Sequence, residues 1–244
     1  MKVTVIGCWG GFPPANGATS CYLVEKDGFI LIVDLGSGAL AKLQNTIDIM
    51  DIDAVILSHY HHDHIADVGV LQYARLVSHY LTNQDAILPI YGHNEDPLAF
   101  QGLSHDVTKG IAYHPDETLT VGPFSITFLK TKHGVPCYGM RITDGKTMFV
   151  YTADTAYDDT WIDFAKDADM LITDCNFYAH QHGAEAGHMN STEAALIAQR
   201  AQVKELILSH LPQYGRHQQL IEEAKEYYQG PIQLAYDGLV WSKG

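Results

Sequence analysis

The chain has 244 residues, of which 46% are hydrophobic, and its formal net charge is −14 with only 15 Lys and Arg residues. The basic residues are dispersed, which disfavours non-specific binding to nucleic acid or to a membrane surface, because both need clustered positive charge. No run of about 18 apolar residues occurs, and the first residues alternate like a strand instead of resembling a signal peptide. We therefore expect a cytoplasmic protein that folds as a single domain over residues 1–244.

Short apolar runs alternate with amphipathic segments of helix length, so the sequence predicts an α/β fold. We expect strands near residues 2–7, 20–26, 29–34, 54–58, 88–91, 118–121, 123–130, 138–143, 146–151, 169–174, 205–209 and 232–235. We expect helices near residues 37–46, 65–80, 94–102, 157–166, 190–201 and 217–228. Residues 103–117 have little pattern, and we interpret them as a functional loop or a long connection.

The cysteines are scattered and contain no Cys-x-x-Cys pair, which argues against both a disulfide framework and a zinc site built from thiolates. We expect reduced thiols in the core or at the edge of a pocket. They are Cys8, Cys21, Cys137 and Cys175.

Two segments of the chain resemble each other, since DIDAVILSH ends at His59 and VKELILSH ends at His210. Each is an apolar strand with Ser-His at its carboxyl end. Open α/β sheets bind ligands outside the carboxyl ends of their strands, so the two halves of the chain could build one site. The alternative is that small polar residues are simply common where a strand meets a helix.

Residues 58–64 read SHYHHDH, directly after an apolar run. In an extended segment side chains alternate in direction, so His59 and His61 can point at one ion, while the turn into a helix directs Asp63 and His64 at a second. Imidazole and carboxylate are suitable ligands for zinc and its neighbours. His62 points away from its neighbours and is assigned to the surface or to support of a ligand.

This motif resembles the metal signature of the metallo-β-lactamase superfamily. The resemblance implies a four-layer αββα sandwich, with two mixed sheets, helices on the outer faces and a dinuclear metal site. It assigns His59, His61 and His133 to one ion, Asp63, His64 and His210 to the other, and Asp154 as the bridge. The implied cofactor is two divalent ions per chain, zinc first, with manganese and iron as alternatives. The resemblance also suggests a homodimer.

The segment GHMNSTEAA at 187–195 is similar to that of the tRNase Z and phosphodiesterase-like members of the superfamily. This resemblance makes His188 an extra histidine that does not bind metal. Its alternative role is a hydrogen bond to backbone beside a helix cap at Asn190 or Ser191. Asp34 matches an aspartate that orients a ligand histidine, although it could simply form a turn.

Other histidines lie in loop-like segments that could border the pocket, and we expect most of them to be solvated. They are His93, His105, His114, His180 and His182. Loops 9–18 and 103–117 are expected to form the pocket walls. Trp9, Phe12, Pro13 and Pro14 could pack a base or an acyl group there, or be buried within the domain.

Processing of tRNA is disfavoured, because members of the tRNase Z family commonly carry a long arm, which grips tRNA, between the third histidine and the bridging aspartate. Only 20 residues separate His133 from Asp154, and they predict a plain hairpin with its turn at Asp144 and Gly145. The acidic charge also disfavours a structured RNA. A small or short flexible phosphodiester is therefore the expected substrate.

The expected reaction is phosphodiester hydrolysis by a hydroxide between two metal ions. Asp63 would bind a metal and orient the nucleophile, and His188 would donate a proton to the leaving group. The alternatives are a hydrolase of another ester class (thioester, lactone or sulfate ester), an RNA 3′-processing endonuclease and a ligand-binding protein that carries metal without catalysis.

Overall fold

The computed structural model describes residues 1–82 and 86–243. It divides into two compact units. Unit 1 contains Met1–Gly7, Gly11–His114 and Tyr236–Gly244, and unit 2 contains Cys8–Gly10 and Pro115–Ala235. The expectation of a single domain over the whole chain stays a prediction.

Unit 1 is built on a mixed seven-stranded sheet with the strand order β14-β1-β2-β3-β4-β5-β6. The strands from β14 to β3 are antiparallel neighbours, and those from β3 to β6 are parallel neighbours. The strands are β1 (Lys2–Gly7), β2 (Cys21–Lys26), β3 (Phe29–Val33), β4 (Ala54–Ile56), β5 (Leu88–Gly92), β6 (Thr108–Ala112) and β14 (Val240–Ser242). The helices are α1 (Ala39–Leu43), α2 (His62–Ile65), α3 (Val68–Thr82) and α4 (Pro97–Gln101).

Unit 2 has a second mixed sheet of seven strands, in the order β13-β12-β11-β10-β9-β8-β7. Here β7 to β10 are antiparallel neighbours and β10 to β13 are parallel neighbours. The strands are β7 (Leu119–Val121), β8 (Phe124–Lys130), β9 (Tyr138–Thr143), β10 (Met148–Tyr151), β11 (Met170–Asp174), β12 (Leu206–Ser209) and β13 (Ile232–Leu234). The helices are α5 (Thr160–Phe164), α6 (Ser191–Arg200) and α7 (Gln218–Ala224).

The central parallel strands of each sheet are buried. Every residue of β4 and of β11 is buried, as is usual for parallel strands that are covered on both faces. In unit 1, Leu23, Ile32 and Val55 belong to one apolar core, which also contains Leu71 of α3. Because parallel strands end at the same edge of a sheet, residues that follow β3 and β4, or β10, β11 and β12, are brought together.

All twelve predicted strands are present, but the sequence pattern missed two, β6 and β14. The prediction of a loop or connection over residues 103–117 is therefore wrong for Thr108–Ala112, which pairs with β5 at the sheet edge. Only Thr108 of this strand is buried, so the alternation of apolar and polar residues is missing. The predicted helix at 65–80 starts later, at Val68, and the short α2 precedes it.

Several local predictions are confirmed. The segment between His133 and Asp154 contains the plain β9–β10 hairpin, in which the Asp144 side chain accepts hydrogen bonds from the backbone N–H groups of Lys146 and Thr147. Helix α6 has Asn190 as its N-cap. The four cysteines are buried and free of disulfide bonds. Within the described part of the chain, no helix combines the length and apolar character that crossing a bilayer requires.

Candidate metal centre

The first set of predicted ligands lies where β4 leads into α2. His61 is the N-cap of α2 and still has extended backbone, with φ −65° and ψ 148°, while Asp63 and His64 lie in the helix itself. The His59 ring centroid is 4.8 Å from that of His61 and 4.1 Å from that of His64. His59 and His64 are buried, whereas His62 is exposed, as its alternation predicts. Unit 1 therefore brings the imidazoles of His61 and His64 into contact with that of His59.

Asp34 fixes the orientation of this set. Its Oδ2 lies 2.7 Å from His64 Nδ1, and its two oxygens accept hydrogen bonds from the backbone N–H and the hydroxyl of Ser58. Ser58 Oγ in turn lies 3.0 Å from His59 Nδ1. Because a carboxylate only accepts, and because Ser58 donates its proton to Asp34, both imidazoles carry their proton on Nδ1. Nε2 is then the metal-binding nitrogen of His59 and of His64.

One carboxylate oxygen of Asp63 accepts a hydrogen bond from the backbone of unit 1. Its Oδ2 accepts a hydrogen bond of 2.7 Å from the N–H of Gly11 and lies 3.7 Å from His64 Nε2. The side chain is 11% exposed. The carboxylate is therefore held beside the histidines while still reaching the surface of the unit.

The second set of predicted ligands lies at one edge of the unit 2 sheet. His133 follows β8, Asp154 follows β10 and His210 follows β12. His133 Nε2 is 3.8 Å from Asp154 Oδ2, and His210 Nε2 is 3.3 Å from Asp154 Oδ1. Each carboxylate oxygen of Asp154 thus faces a different histidine, which is the arrangement that a bridging carboxylate needs.

His133 is oriented by the backbone at Gly187. Its Nδ1 lies 3.1 Å from the Gly187 carbonyl oxygen, so the ring donates there and directs Nε2 towards Asp154. Gly187 has φ +77°, and a Cβ atom at this position would lie 2.6 Å from His133 Nδ1. Only glycine permits this approach without displacing the histidine.

Three residues of the candidate centre adopt left-handed backbone conformations, which are uncommon for residues other than glycine. They are Asp34 (φ 56°), Ala153 (φ 54°) and His210 (φ 52°). Asp34 and His210 directly follow strands, and Ala153 precedes Asp154. Strained backbone of this kind costs about 1–3 kcal/mol per residue and clusters at functional sites.

Asp174 was missed by sequence reasoning, although the structure places it at the centre of unit 2. Its Oδ2 lies 2.7 Å from His188 Nδ1 and accepts a hydrogen bond from the N–H of Thr155. Its Oδ1 accepts a hydrogen bond from the N–H of Asn176 and lies 3.7 Å from His210 Nδ1. The available signal was its position at the end of the strand MLITD, which parallels Asp34 after FILIV.

The pKa values of Asp174 and His188 favour the charged form of this pair. Burial alone would raise the pKa of Asp174, but the neighbouring His188 and His210 bring it below its ordinary value. Burial alone would lower the pKa of His188, but the carboxylate of Asp174 brings it above its ordinary value. The pair is therefore suited to hold a proton on His188.

The His188 ring lies among the predicted ligands of its unit. Its centroid is 5.3 Å from that of His133 and 5.0 Å from that of His210. The rings of His188 and His210 are nearly parallel, with an interplanar angle of 19°. The cap of α6 is formed separately, because the Asn190 side chain accepts from the N–H groups of Thr192 and Glu193. The side chain of His188 thus contacts a carboxylate and does not form the cap.

Among the described residues of unit 2, one cluster could hold an ion without a residue of unit 1. Ligand atoms of Asp154, Asp174, His188 and His210 all lie within 4.8 Å of one another. Zinc, manganese and iron accept neutral imidazole and carboxylate as ligands. Protein partners hold Nδ1 of His59, His64 and His133, which leaves Nε2 of each ring to bind a metal. The residues of both units therefore fit the implied divalent metals.

The loop histidines and the aromatic residues of loop 9–18 differ in their exposure to solvent. The expectation of solvated loop histidines fails for His93, which is 2% exposed and packs against the rings of Tyr60 and Tyr113. It holds for the exposed residues His105, His114, His180 and His182. In loop 9–18, Phe12 is 62% exposed, and Trp9 contacts the His217 ring edge-on.

Comparisons with known proteins agree with this architecture. Residues 32–211 match the β-lactamase superfamily domain. The chain is 56% identical over 242 residues to the probable metallo-hydrolase YhfI of Bacillus subtilis strain 168, and the match covers 99% of each chain. The crystal structure of YhfI, a metallo-β-lactamase fold protein, matches with a TM-score of 0.97 at 55% identity over 98% of each chain.

Two more distant structures share the fold. Human tRNase Z, short form, has a TM-score of 0.77 at 20% identity over 99% of each chain. A diphosphatase from the PhnP family has a TM-score of 0.75 at 20% identity over 100% of this chain and 98% of its own. The two mixed sheets with surrounding helices confirm the predicted αββα fold class. The chain therefore belongs to the β-lactamase superfamily, in which its relatives include a probable metallo-hydrolase.

Proposed function

We propose that the protein is a dinuclear metal-dependent hydrolase that cleaves a phosphodiester bond. The proposed ligands are His59, His61 and His133 for one ion, and Asp63, His64 and His210 for the other. Asp154 would bridge the two ions. Zinc is the proposed metal, because imidazole and carboxylate are its usual ligands at catalytic sites.

The orientation of the histidines supports this assignment. In unit 1, Asp34 and Ser58 hold Nδ1 of His64 and His59. In unit 2, the Gly187 carbonyl holds Nδ1 of His133. A ligand histidine usually donates its other ring N–H to a carboxylate, a carbonyl or a hydroxyl, and this fixes the tautomer and strengthens the ligand. A protein that used these histidines only for packing would not need Nδ1 held in this way at each of them.

Two divalent ions held by these residues would supply Lewis acidity and would lower the pKa of a water enough to make hydroxide available near pH 7. Asp63, which Gly11 holds through Oδ2, orients that nucleophile for attack at phosphorus. The bond between phosphorus and the leaving oxygen breaks. The leaving alkoxide then needs a proton.

His188 supplies this proton, and its pairing with Asp174 is the observation that carries the phosphodiesterase proposal. Nδ1 of His188 is committed to Asp174 at 2.7 Å, so Nε2 is the atom that holds the transferable proton. An alkoxide is a poor leaving group, and general acid catalysis of this kind contributes on the order of 10²–10⁴ in rate. Hydrolysis of a thioester or an activated ester gains far less from it.

The proposed substrate is small or flexible. The β9–β10 hairpin occupies the segment in which the tRNase Z family carries its tRNA-gripping arm, and the chain has a formal charge of −14. A folded RNA would have to bind with few neutralised phosphates. The proposal includes a cytoplasmic location, where the four buried cysteines, which form no disulfide bonds, remain reduced.

The test is a substrate screen of the metal-loaded protein with phosphodiester, thioester, lactone and sulfate ester reporters, together with a precursor tRNA that carries a 3′ trailer. We expect the highest kcat/KM with the phosphodiester and loss of turnover after chelation. Preference for another ester would replace the substrate class, and cleavage of the trailer would establish the RNA-processing alternative. Metal binding without turnover on any reporter would favour the ligand-binding alternative.

A further inference from the structure

Two tyrosine hydroxyl groups contact the short connection between β4 and α2, which carries the histidine motif. This connection is residues 57–61. Its first residue still belongs to the sheet ladder, because the N–H of Leu57 donates to the carbonyl oxygen of Tyr91 in β5 at 2.9 Å. Its last residue, His61, is the N-cap of α2. Between these points the backbone groups need partners outside the ladder.

Tyr60 ties this connection to the residue that follows β5. Its hydroxyl donates to the carbonyl oxygen of His93 at 2.5 Å, and the centroids of the two rings lie 4.5 Å apart. Side chains alternate in direction along an extended segment, so Tyr60 points away from the adjacent rings of His59 and His61 and packs against the core of unit 1. Tyr60 therefore anchors the backbone from the side opposite to the ligands.

Tyr113 ties the beginning of the same connection to the end of β6. Tyr113 is 1% exposed, and its hydroxyl donates to the carbonyl oxygen of Leu57 at 3.0 Å and lies 3.4 Å from that of Ser58. Its own N–H donates to the carbonyl oxygen of Gly92. The hydroxyl contacts of Tyr60 and Tyr113 thus hold the connection against the ends of β5 and β6. We call these two contacts the tyrosine brace.

Gly92 leaves room for the hydroxyl of Tyr60. A Cβ atom at this position would lie 2.4 Å from Tyr60 Oη and 2.9 Å from Leu103 Cδ1. Because the phenol ring is rigid, a side chain at position 92 would displace the hydroxyl from its acceptor. A glycine within a strand often marks a place where another group approaches the backbone closely. The end of β5 is therefore shaped to receive this hydroxyl.

We propose that Tyr60 and Tyr113 are positioning residues for the ion assigned to His59 and His61, an inference that rests on the metal ligands of the proposed function. Planar peptide bonds join Tyr60 directly to both histidines, so a shift of its backbone moves both ligands at once. Contacts outside the ligands that keep them oriented contribute about 10–100-fold to metal affinity. The brace therefore sets how tightly this ion is bound.

The brace differs from the contacts that orient the imidazole rings. Asp34 and Ser58 hold Nδ1 of His64 and His59, and they thereby select the tautomer of each ring. The tyrosine hydroxyls instead donate to backbone carbonyl oxygens. Because His64 is assigned to the other ion and belongs to α2, loss of the brace should weaken the binding of one ion and leave the other unchanged.

Zinc titration of the metal-free protein in competition with a chelator tests the proposal, because it measures the two binding steps separately. His61→Ala identifies the step that depends on this ion. Tyr60→Phe, and likewise Tyr113→Phe, should weaken the same step by about tenfold. The matched control is Tyr228→Phe, since Tyr228 is 4% exposed and its hydroxyl donates to the backbone carbonyl of Val203 in unit 2 at 2.7 Å. This control should lower the thermal midpoint of the metal-free protein and leave both zinc steps unchanged.

A second set of variants tests whether the effect passes through the hydroxyl. Gly92→Ala should weaken the same zinc step, because its methyl group displaces Tyr60 Oη. The double variant Gly92→Ala/Tyr60→Phe should bind zinc as well as Tyr60→Phe does. The atom that meets the methyl group is then gone, so the two losses should not add. If Gly92→Ala fails to fold, the comparison of Tyr60→Phe with Tyr228→Phe decides alone.

Three results would overturn the positioning role. They are unchanged zinc binding by Tyr60→Phe or Tyr113→Phe, equal weakening of both steps, and the same loss in Tyr228→Phe, since the tyrosines would then only stabilise the fold. Additive losses in the double variant would also overturn it. In each of these cases the wild type still binds two ions, so the proposed function stands. A wild type that binds fewer than two zinc ions would refute the ligand assignment and the positioning role together.

Discussion

Nδ1 of His188 lies 2.7 Å from Oδ2 of Asp174, a carboxylate that is buried at the end of β11. The same relationship occurs in unit 1, where Nδ1 of His64 lies 2.7 Å from Oδ2 of Asp34. Both aspartates come at the end of an inner strand that has a parallel neighbour. The two pairs have different proposed tasks, since His64 binds metal and His188 transfers a proton.

Asp174→Asn should separate these tasks. The variant should keep two metal ions, because Asp174 is not a proposed ligand, but kcat for a substrate with a poor leaving group should fall by about 10²-fold or more. The carboxylate raises the pKa of His188, so its loss should lower that pKa. Because the acid must be protonated, the decline of rate with rising pH should move to lower pH. A pH profile of kcat, with elemental analysis, measures both effects.

His188→Ala should lower turnover on poor leaving groups by about 10²-fold or more, with both metals and the fold retained. A nitrophenyl ester needs little protonation of its leaving group, so its hydrolysis should change much less. Asn190→Ala is the matched control, because Asn190 forms the cap of α6. That variant should lose about 0.5–2 kcal/mol of stability, with both substrates affected alike.

The same His188→Ala variant decides whether His188 is a ligand. Its ligand atom lies in the cluster with Asp154, Asp174 and His210, so a metal-binding role is a geometric alternative. Loss of one ion per chain, or equal rate losses on both substrates with a lowered thermal midpoint, would contradict the role as proton donor.

Metal content should distinguish the bridge from a terminal ligand. The wild type should bind close to two divalent ions per chain, as a dinuclear site requires. Asp154→Ala should weaken both ions together, because the two oxygens of Asp154 face different histidines. His210→Ala should mainly weaken the binding of one ion. Titration calorimetry with zinc on the metal-free protein measures both, and a wild type that saturates with one ion would refute the assignment of Asp63, His64 and His210.

Asp34→Asn should weaken metal binding by about 10–100-fold, because it disturbs the tautomer and the orientation of His64. Asp53→Asn provides the control in the same unit, since this exposed carboxylate accepts a hydrogen bond from the N–H of Ile30 and is not paired with a proposed ligand. Zinc affinity measured by competition with a chelator should change for Asp34→Asn alone. Equal affinities in both variants would mean that Asp34 only shapes the turn.

The sequence predicted much of this molecule, for reasons that are local. The apolar strand DIDAVILSH and the histidine motif that follows it specify where His59 emerges, and the structure places it after β4. The Asp174–His188 contact was not predicted, because the two residues are 14 positions apart and meet only when the loop after β11 folds back. The burial of His93 likewise depends on Tyr60 and Tyr113, which are far from each other in the sequence. Strand β6 was missed because an edge strand needs no alternation of polarity.

The turn of the β9–β10 hairpin lies away from the proposed metal ligands, so a longer segment inserted there would not reach the substrate. Strand β8 runs towards His133, β9 returns, and β10 runs towards Asp154, so the turn at residues 144–147 lies at the opposite end of the sheet from both ligands. An inserted segment at that turn would be tolerated as other hairpin insertions are, yet would extend away from the chemistry. The connection between β8 and β9, which includes residues 134–137, lies at the same end of the sheet as the two ligands. Between β8 and β10, an arm meant to hold a large substrate near these ligands would therefore have to be inserted at residues 134–137 and not at the hairpin turn.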